Sequence, residues 1–198
     1  MPRATPLPPD ERRAAIMAAT EPLLEQHGRN VSTRQIAEAA GIAEGTIFRV
    51  FPSKDCLVDA VIADAFDVGV TCDQLRRIDL SQDLESRLVA AAALLQERLR
   101  RVFALFHALA LQHEAAAVDA RRRHQQDNEL LDGALTDLIA PDHQLLGYSP
   151  GDAANLLRTL TFAISHPLLS DQRHSDPEQI VSILLHGITR PASEEVSC

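Results

Sequence analysis

Apolar residues recur along most of the chain at steps of three and four, the spacing that keeps side chains on one face of an α-helix. Ile16, Ala19, Leu23 and Leu24 keep it in a first segment, with Asp10 placed to cap the helix and Gly28 to stop it. Ser32 and Gln35 stand three apart in the pattern of a capping box and open a short helix that Gly41 ends. A second short helix is expected from Glu44 to Phe51, broken by Pro52. Ser53 then caps a longer helix carrying Leu57, Val58, Val61, Ile62, Ala65 and Phe66.

After a polar link over Ile78–Gln82, the stripe Leu84, Leu88, Ala91, Leu95, Leu99, Val102, Phe106 and Leu109 fits one long helix or two in succession. The polar stretch Arg121–Asp127 precedes an amphipathic run through Leu130, Leu131, Leu135, Leu138 and Ile139, ended by Pro141. Ser149-Pro150 and Asp176-Pro177 each place Pro in the first turn of a helix, where its missing N–H is not needed. Leu156, Leu157, Leu160, Ala163 and Ile164 present an apolar face from the first of these helices. Ile180, Ile183, Leu184, Gly187 and Ile188 do so from the second, which Pro191 closes. The pattern predicts an all-α fold of about nine helices. It divides into a flexible tail over 1–9, a helix-turn-helix unit over 10–54, a helical body over 55–191 and a tail over 192–198.

Composition agrees with this division. Aromatics make up 4% of the 198 residues and Trp is absent, so the core is built from Leu, Ala, Ile and Val, material suited to helices. No apolar run is long enough to span a membrane, and the N-terminal residues lack the apolar stretch of a secretory signal. Cys56, Cys72 and Cys198 are an odd number without metal-ligand spacing, which argues against a disulfide framework or zinc site and fits a cytoplasmic protein. No cofactor is implied, and no phosphate loop, nucleophile elbow or metal motif supports an enzyme.

The net charge of −9 changes the picture only through its distribution. Residues 28–54 carry Arg29, Arg34, Arg49 and Lys54 against Glu38 and Glu44, so one small basic face stands on an acidic remainder. Such a surface repels double-stranded DNA everywhere except at that face.

The segment from Ser32 to Phe51 is where chemistry concentrates. Two short helices joined at Gly41 form the helix-turn-helix pattern. Ile36, Ala37, Ala40, Ile42, Ile47 and Phe51 are placed to pack the pair, leaving Glu44, Gly45, Thr46, Phe48 and Arg49 outward as a tip suited to a major groove. Glu44 has two open readings: acceptor for a cytosine amine, or a first-turn carboxylate favoured by the helix dipole.

The run Gly45-Thr46-Ile47-Phe48-Arg49-Val50-Phe51-Pro52-Ser53-Lys54 resembles the N-terminal signature of the TetR family of bacterial repressors. The detailed resemblance covers residues 10–60 or so, and beyond them only the number, length and order of helices. It implies that Ser32, Thr33 and Arg34 touch phosphates, that Glu44, Gly45, Thr46 and Arg49 face base edges, and that Lys54 anchors a phosphate. Three positions depart from the family pattern. Phe48 replaces a common Tyr, Val50 replaces His or Tyr, and Ala43 stands where Ser or Thr often caps the recognition helix.

The resemblance further implies a homodimer paired through its last two helices, a palindromic operator, and release from DNA by an unidentified small-molecule effector. Phe103, Phe106, His107, Leu131, Phe162 and His166 are the candidate lining of an effector pocket, with plain core packing as the competing reading for each. His107 and His113 are out of register for a helical zinc pair. The Arg121–Arg123 run reads as a solvated helix face. The rival to the regulator reading is a helical ligand-binding or scaffold protein that no longer binds DNA.

Overall fold

The computed structural model describes residues 8–109, 117–171 and 173–187, the side chains of 117–124 excepted. Among these residues there are nine α-helices, two 3-10 turns and no strand. The helices are α1 (Pro9–His27), α2 (Thr33–Ala39), α3 (Glu44–Val50), α4 (Lys54–Phe66), α5 (Gly69–Arg76), α6 (Leu84–Leu109), α7 (Ala117–Ile139), α8 (Pro150–Ser165) and α9 (Pro177–His186). Residues 1–7 and 188–198, with Ile188, Pro191 and Cys198, lie outside the described residues, as do His113 and the side chains of Arg121–Arg123.

Local chemistry explains most of the boundaries. The Ser32 hydroxyl accepts from the Gln35 N–H at 3.2 Å while the Gln35 side chain accepts from the Ser32 N–H at 2.9 Å, completing the capping box at α2. Ser53 caps α4 by accepting from the Cys56 N–H, and Ser149 caps α8 by accepting from the Asp152 N–H. Asp176 accepts from the Glu178 N–H at the start of α9. Gly28 closes α1 at a φ of +56° and Gly41 follows α2 at +64°, conformations that a Cβ would strain.

Several expectations need correction. α1 begins at Pro9 on Pro8, so Asp10 is a first-turn residue and not the cap. The stripe from Leu84 to Leu109 is one helix of 26 residues. α5 was not foreseen. It buries only Thr71, Cys72 and Leu75 over eight residues, too short a pattern to separate from a link. α7 takes in the polar stretch Arg121–Asp127, because helix formation there does not need an apolar face. Leu130 is 52% exposed instead of facing the core, and Gly187, at a φ of +71°, terminates α9 instead of lining its apolar face.

The chain forms two compact units. One runs to Asp67 and also takes in the part of α6 from Arg101 onward; the other comprises Val68–Arg100 and the remainder. The first unit closes around Ile16, Leu24, Ile36, Ile47, Phe51, Leu57 and Leu105, all buried. Its polar fasteners are Arg101, which donates to both carboxylate oxygens of Glu21 at 2.6 and 2.9 Å and to Asp64 at 3.3 Å. The hydrogen bond to Glu21 is the main reason the Arg101 guanidinium is held even more firmly protonated than usual.

The second unit packs α5, α7, α8 and α9 with the first part of α6 around Leu75, Leu88, Ala92, Leu135, Leu157 and Ile180. Inside it, the fully buried Arg87 donates to the Leu138 carbonyl at 3.0 Å and to the Asp142 carboxylate, fastening α6 to the end of α7. Among the described residues no helix is long and apolar enough to cross a membrane.

Candidate nucleic-acid interface

α2 and α3 form the helix-turn-helix because one side of each is apolar and the other is not. Ile36, Ala37 and Ile47 are buried in the unit's core, Phe51 closes its edge, and Ile42 packs at the turn. The guanidinium of Arg13 lies 4.3 Å from the Phe51 ring centre, a cation–π contact between α1 and the end of α3. What remains outward is a continuous set: Ser32, Arg34, Glu44, Gly45, Phe48 and Arg49 are exposed, and Thr33, Thr46 and Lys54 half-exposed. The structure thus brings all nine expected DNA-contacting residues into one helix-turn-helix segment and its flank.

Their mutual contacts refine the picture. The Thr33 hydroxyl donates to the Glu44 carboxylate, tying the first residue of α2 to the first residue of α3. Ala43, at the cap position of α3, makes no side-chain hydrogen bond, as its methyl group requires. Lys54 donates to the carbonyls of Arg29 at 2.8 Å and Val31 at 3.2 Å, so its ammonium braces the turn between α1 and α2. An ammonium has three N–H donors, and two are used there.

Arg29 belongs to the basic face by sequence count, yet its guanidinium approaches Asp59 at 3.5 Å and Asp55 at 4.0 Å. The charge window ended at Lys54 and missed both carboxylates. The cations at the exposed tip are therefore Arg34 and Arg49. Spacing along α4 could have exposed this, since Asp55 and Asp59 stand one turn apart on a single face.

The six candidate pocket residues divide between the two units. Phe103, Phe106 and His107 belong to the first unit, where Phe106 meets Phe66 edge-to-face at 5.1 Å and His107 is exposed. In the second unit Leu131 is a buried core residue, and Phe162 and His166 pair ring to ring at 5.4 Å. A cleft of about 730 Å³ in the second unit is lined instead by residues including Asp83, Ser86, Val89 and Pro177. The polar group that sequence reasoning passed over is the buried Gln96, whose partners on α8 and before α9 lie too far along the chain for any periodicity to announce.

Among the described residues the chain is all-helical, forms two compact units and carries a solvent-facing helix-turn-helix in the first of them. Residues 16–61 match the family described as bacterial regulatory proteins, tetR family. Among solved structures it is similar to a TetR transcriptional regulator from Streptomyces coelicolor, at 23% identity over 91% of this chain and 99% of that one, with a TM-score of 0.58. NalD of Pseudomonas aeruginosa, the secondary repressor of the MexAB-OprM multidrug efflux pump, is 24% identical over 89% of this chain and 94% of its own, with a TM-score of 0.51. SmeT, solved in complex with triclosan, is 18% identical over 88% of each chain, with a TM-score of 0.54. At these identities the likeness is one of fold.

Proposed function

We propose that this protein is a repressor that binds a palindromic operator as a homodimer and is released by a small molecule. The observation that carries the reading is the two-sided character of α3: Ile47 is sealed in the core while Gly45, Phe48 and Arg49 face solvent. Residues 10–54 do the reading, and residues 55–191 serve pairing and effector binding.

Ser32, Thr33 and Arg34 position α2 on phosphates, contacts that set register without carrying sequence information. Gly45 lets the backbone approach the groove, Thr46 and Arg49 reach base edges, and Phe48 offers apolar surface to a thymine methyl. The remaining N–H of Lys54 is available to a phosphate. Glu44 has one oxygen engaged by Thr33, and the other is left to accept from a cytosine amine. Its orientation is set by α2, which favours a fixed reading role over a loose first-turn charge.

Pairing through α8 and α9 is supported by apolar surface on them: Leu156 is exposed and Ile183 and Leu184 half-exposed. Dimerisation presents two recognition helices to successive major grooves, roughly 34–36 Å apart. An effector that binds better to another spacing of those helices shifts the population away from the DNA-competent one. The complex of SmeT, a protein of similar fold, with triclosan supports the effector reading.

The test is selection of bound fragments from a sheared bacterial genomic library. An enriched inverted repeat with half-sites one helical turn or a multiple apart supports the reading. Absence of enrichment at low salt overturns it and leaves the rival, a helical ligand-binding protein without DNA activity.

A further inference from the structure

Threonine inside a helix ordinarily donates its hydroxyl to the carbonyl four residues back. Thr20 donates in this way to the Ile16 carbonyl at 2.7 Å and Thr136 to the Asp132 carbonyl at 2.6 Å. Thr161 in α8 does not. It is fully buried, and its hydroxyl has no hydrogen-bond partner among the described residues. Valine has the same shape without the unsatisfied polar atom, so the hydroxyl is an expense that packing alone does not explain.

Thr161 is not alone. Ser165 follows it by four residues, one turn on along the same face of α8. The Ser165 hydroxyl accepts from the Gln96 amide of α6 at 3.2 Å, and the same amide nitrogen donates to the Ser175 carbonyl, just before α9, at 2.6 Å. Gln96 is itself only 8% exposed. Thr161 and Ser165 thus stand one turn apart on one face of α8, and Gln96 of α6 reaches that face at Ser165. The Phe162–His166 ring pair continues this part of α8 toward solvent, Phe162 being partly exposed.

We propose that Gln96, Thr161 and Ser165 anchor the polar head of the effector, and that the effector is a neutral, largely apolar molecule carrying one hydroxyl or comparable hydrogen-bonding group. This rests on the ligand-responsive reading above and adds the site and the chemical class. A hydroxyl head donates to or accepts from the Thr161 Oγ1, and the ring pair supplies aromatic surface for an apolar body. An anionic head is disfavoured. Arg158, the cation one turn before Thr161 on α8, is held by Asp132 through bonds of 2.6 and 3.0 Å and brings no free charge. A head group that takes up the Gln96 amide also releases Ser175, and so loosens the tie between α6 and the entry to α9.

The experiment uses the full chain and three matched probes: 2-naphthol, 2-naphthoate and naphthalene. Binding is followed by probe fluorescence, which this Trp-free chain leaves unobscured. The expected result is that 2-naphthol binds at least about tenfold more tightly than the other two, the worth of one well-placed hydrogen bond. Thr161→Val is expected to lose that advantage, leave naphthalene binding unchanged and raise Tm by roughly 2–4 °C. Gln96→Leu provides a second variant with the same expected loss of preference. The proposal is overturned if 2-naphthol does not bind, if 2-naphthoate binds as well, or if Thr161→Val keeps the wild-type preference. Operator binding without probe is measured on the same preparations. Its absence in the wild type speaks against the regulator reading, whereas its presence without a 2-naphthol preference speaks against this site alone.

Discussion

The helix caps of the helix-turn-helix and the buried polar groups of the second unit do different work. In the helix-turn-helix, the caps of α2 and α4 close within three residues, Ser32 with Gln35 and Ser53 with Cys56. In the second unit the decisive bonds join distant positions: Arg87 to Leu138 across 51 residues, Gln96 to Ser165 across 69 and to Ser175 across 79. Short-range bonds set where helices start and stop, while long-range ones set which helices stay together. The N-terminal motif therefore tolerates the loss of a single cap, whereas the body depends on a few buried groups that have no substitutes.

That contrast can be broken at either end. The largest effect is expected from Arg87→Ala. It removes a buried cation that serves both the end of α7 and Asp142, and should cost about 3–5 kcal/mol in urea unfolding. A loss under about 1 kcal/mol would mean that the pair contributes no more than a surface ion pair.

Next comes Gly28→Ala in the first unit. A Cβ there meets the Ala108 carbonyl oxygen at 2.6 Å on a backbone with a φ of +56°, whereas one at Gly41, φ +64°, meets nothing within 4 Å. Strain and clash together should cost about 2–4 kcal/mol at Gly28, against about 1 kcal/mol for strain alone at Gly41. Equal thermal shifts for the two variants would remove close packing at Ala108 from the explanation.

Ser32→Ala, which deletes half of the capping box, should cost about 1 kcal/mol, and Ser53→Ala a similar amount. A loss of several kcal/mol from either would contradict the claim that the motif tolerates the loss of a single cap.

The smallest effect is a pH dependence near the start of α6. Asp83 is held below its ordinary 3.8 first by the Ser86 backbone N–H and then by its hydroxyl, and Asp79 is lowered in the same way by Ser81. A depressed folded-state value contributes stability above the unfolded one, which is lost as pH falls through the folded value. Asp83→Asn should therefore narrow its stability gap from the wild type only below about pH 4. A gap unchanged from pH 7 to pH 2 would show that the carboxylate charge adds nothing.

The same contrast explains what was legible in the sequence. Ser32, Gly41, Ser53, Ser149 and Asp176 announced their helices because capping is decided by neighbours three or four residues away. The outward set on α3 was legible for the same reason, Ile47 and Phe51 fixing which side is buried. α5 was not, since its burial of Cys72 and Leu75 comes from the tertiary fit of the second unit. Nor was the diversion of Arg29 to Asp55 and Asp59, or of Lys54 to two carbonyls, because a charge count does not see which partner a side chain reaches. The candidate pocket residues were chosen as aromatics and histidines on apolar stripes. Gln96 and Thr161 escaped notice because a polar residue on such a stripe looks like an interruption until its burial is seen.

The most direct test of the account is the affinity of Arg49→Ala for a selected operator, compared with the wild type at two salt concentrations. Arg49 is exposed, so its removal should leave Tm unchanged. Affinity is expected to fall about tenfold or more, as for loss of a base-reading arginine, while wild-type binding weakens steeply as salt rises. Equal operator binding by the variant and the wild type would contradict the assignment of the α3 face to DNA reading.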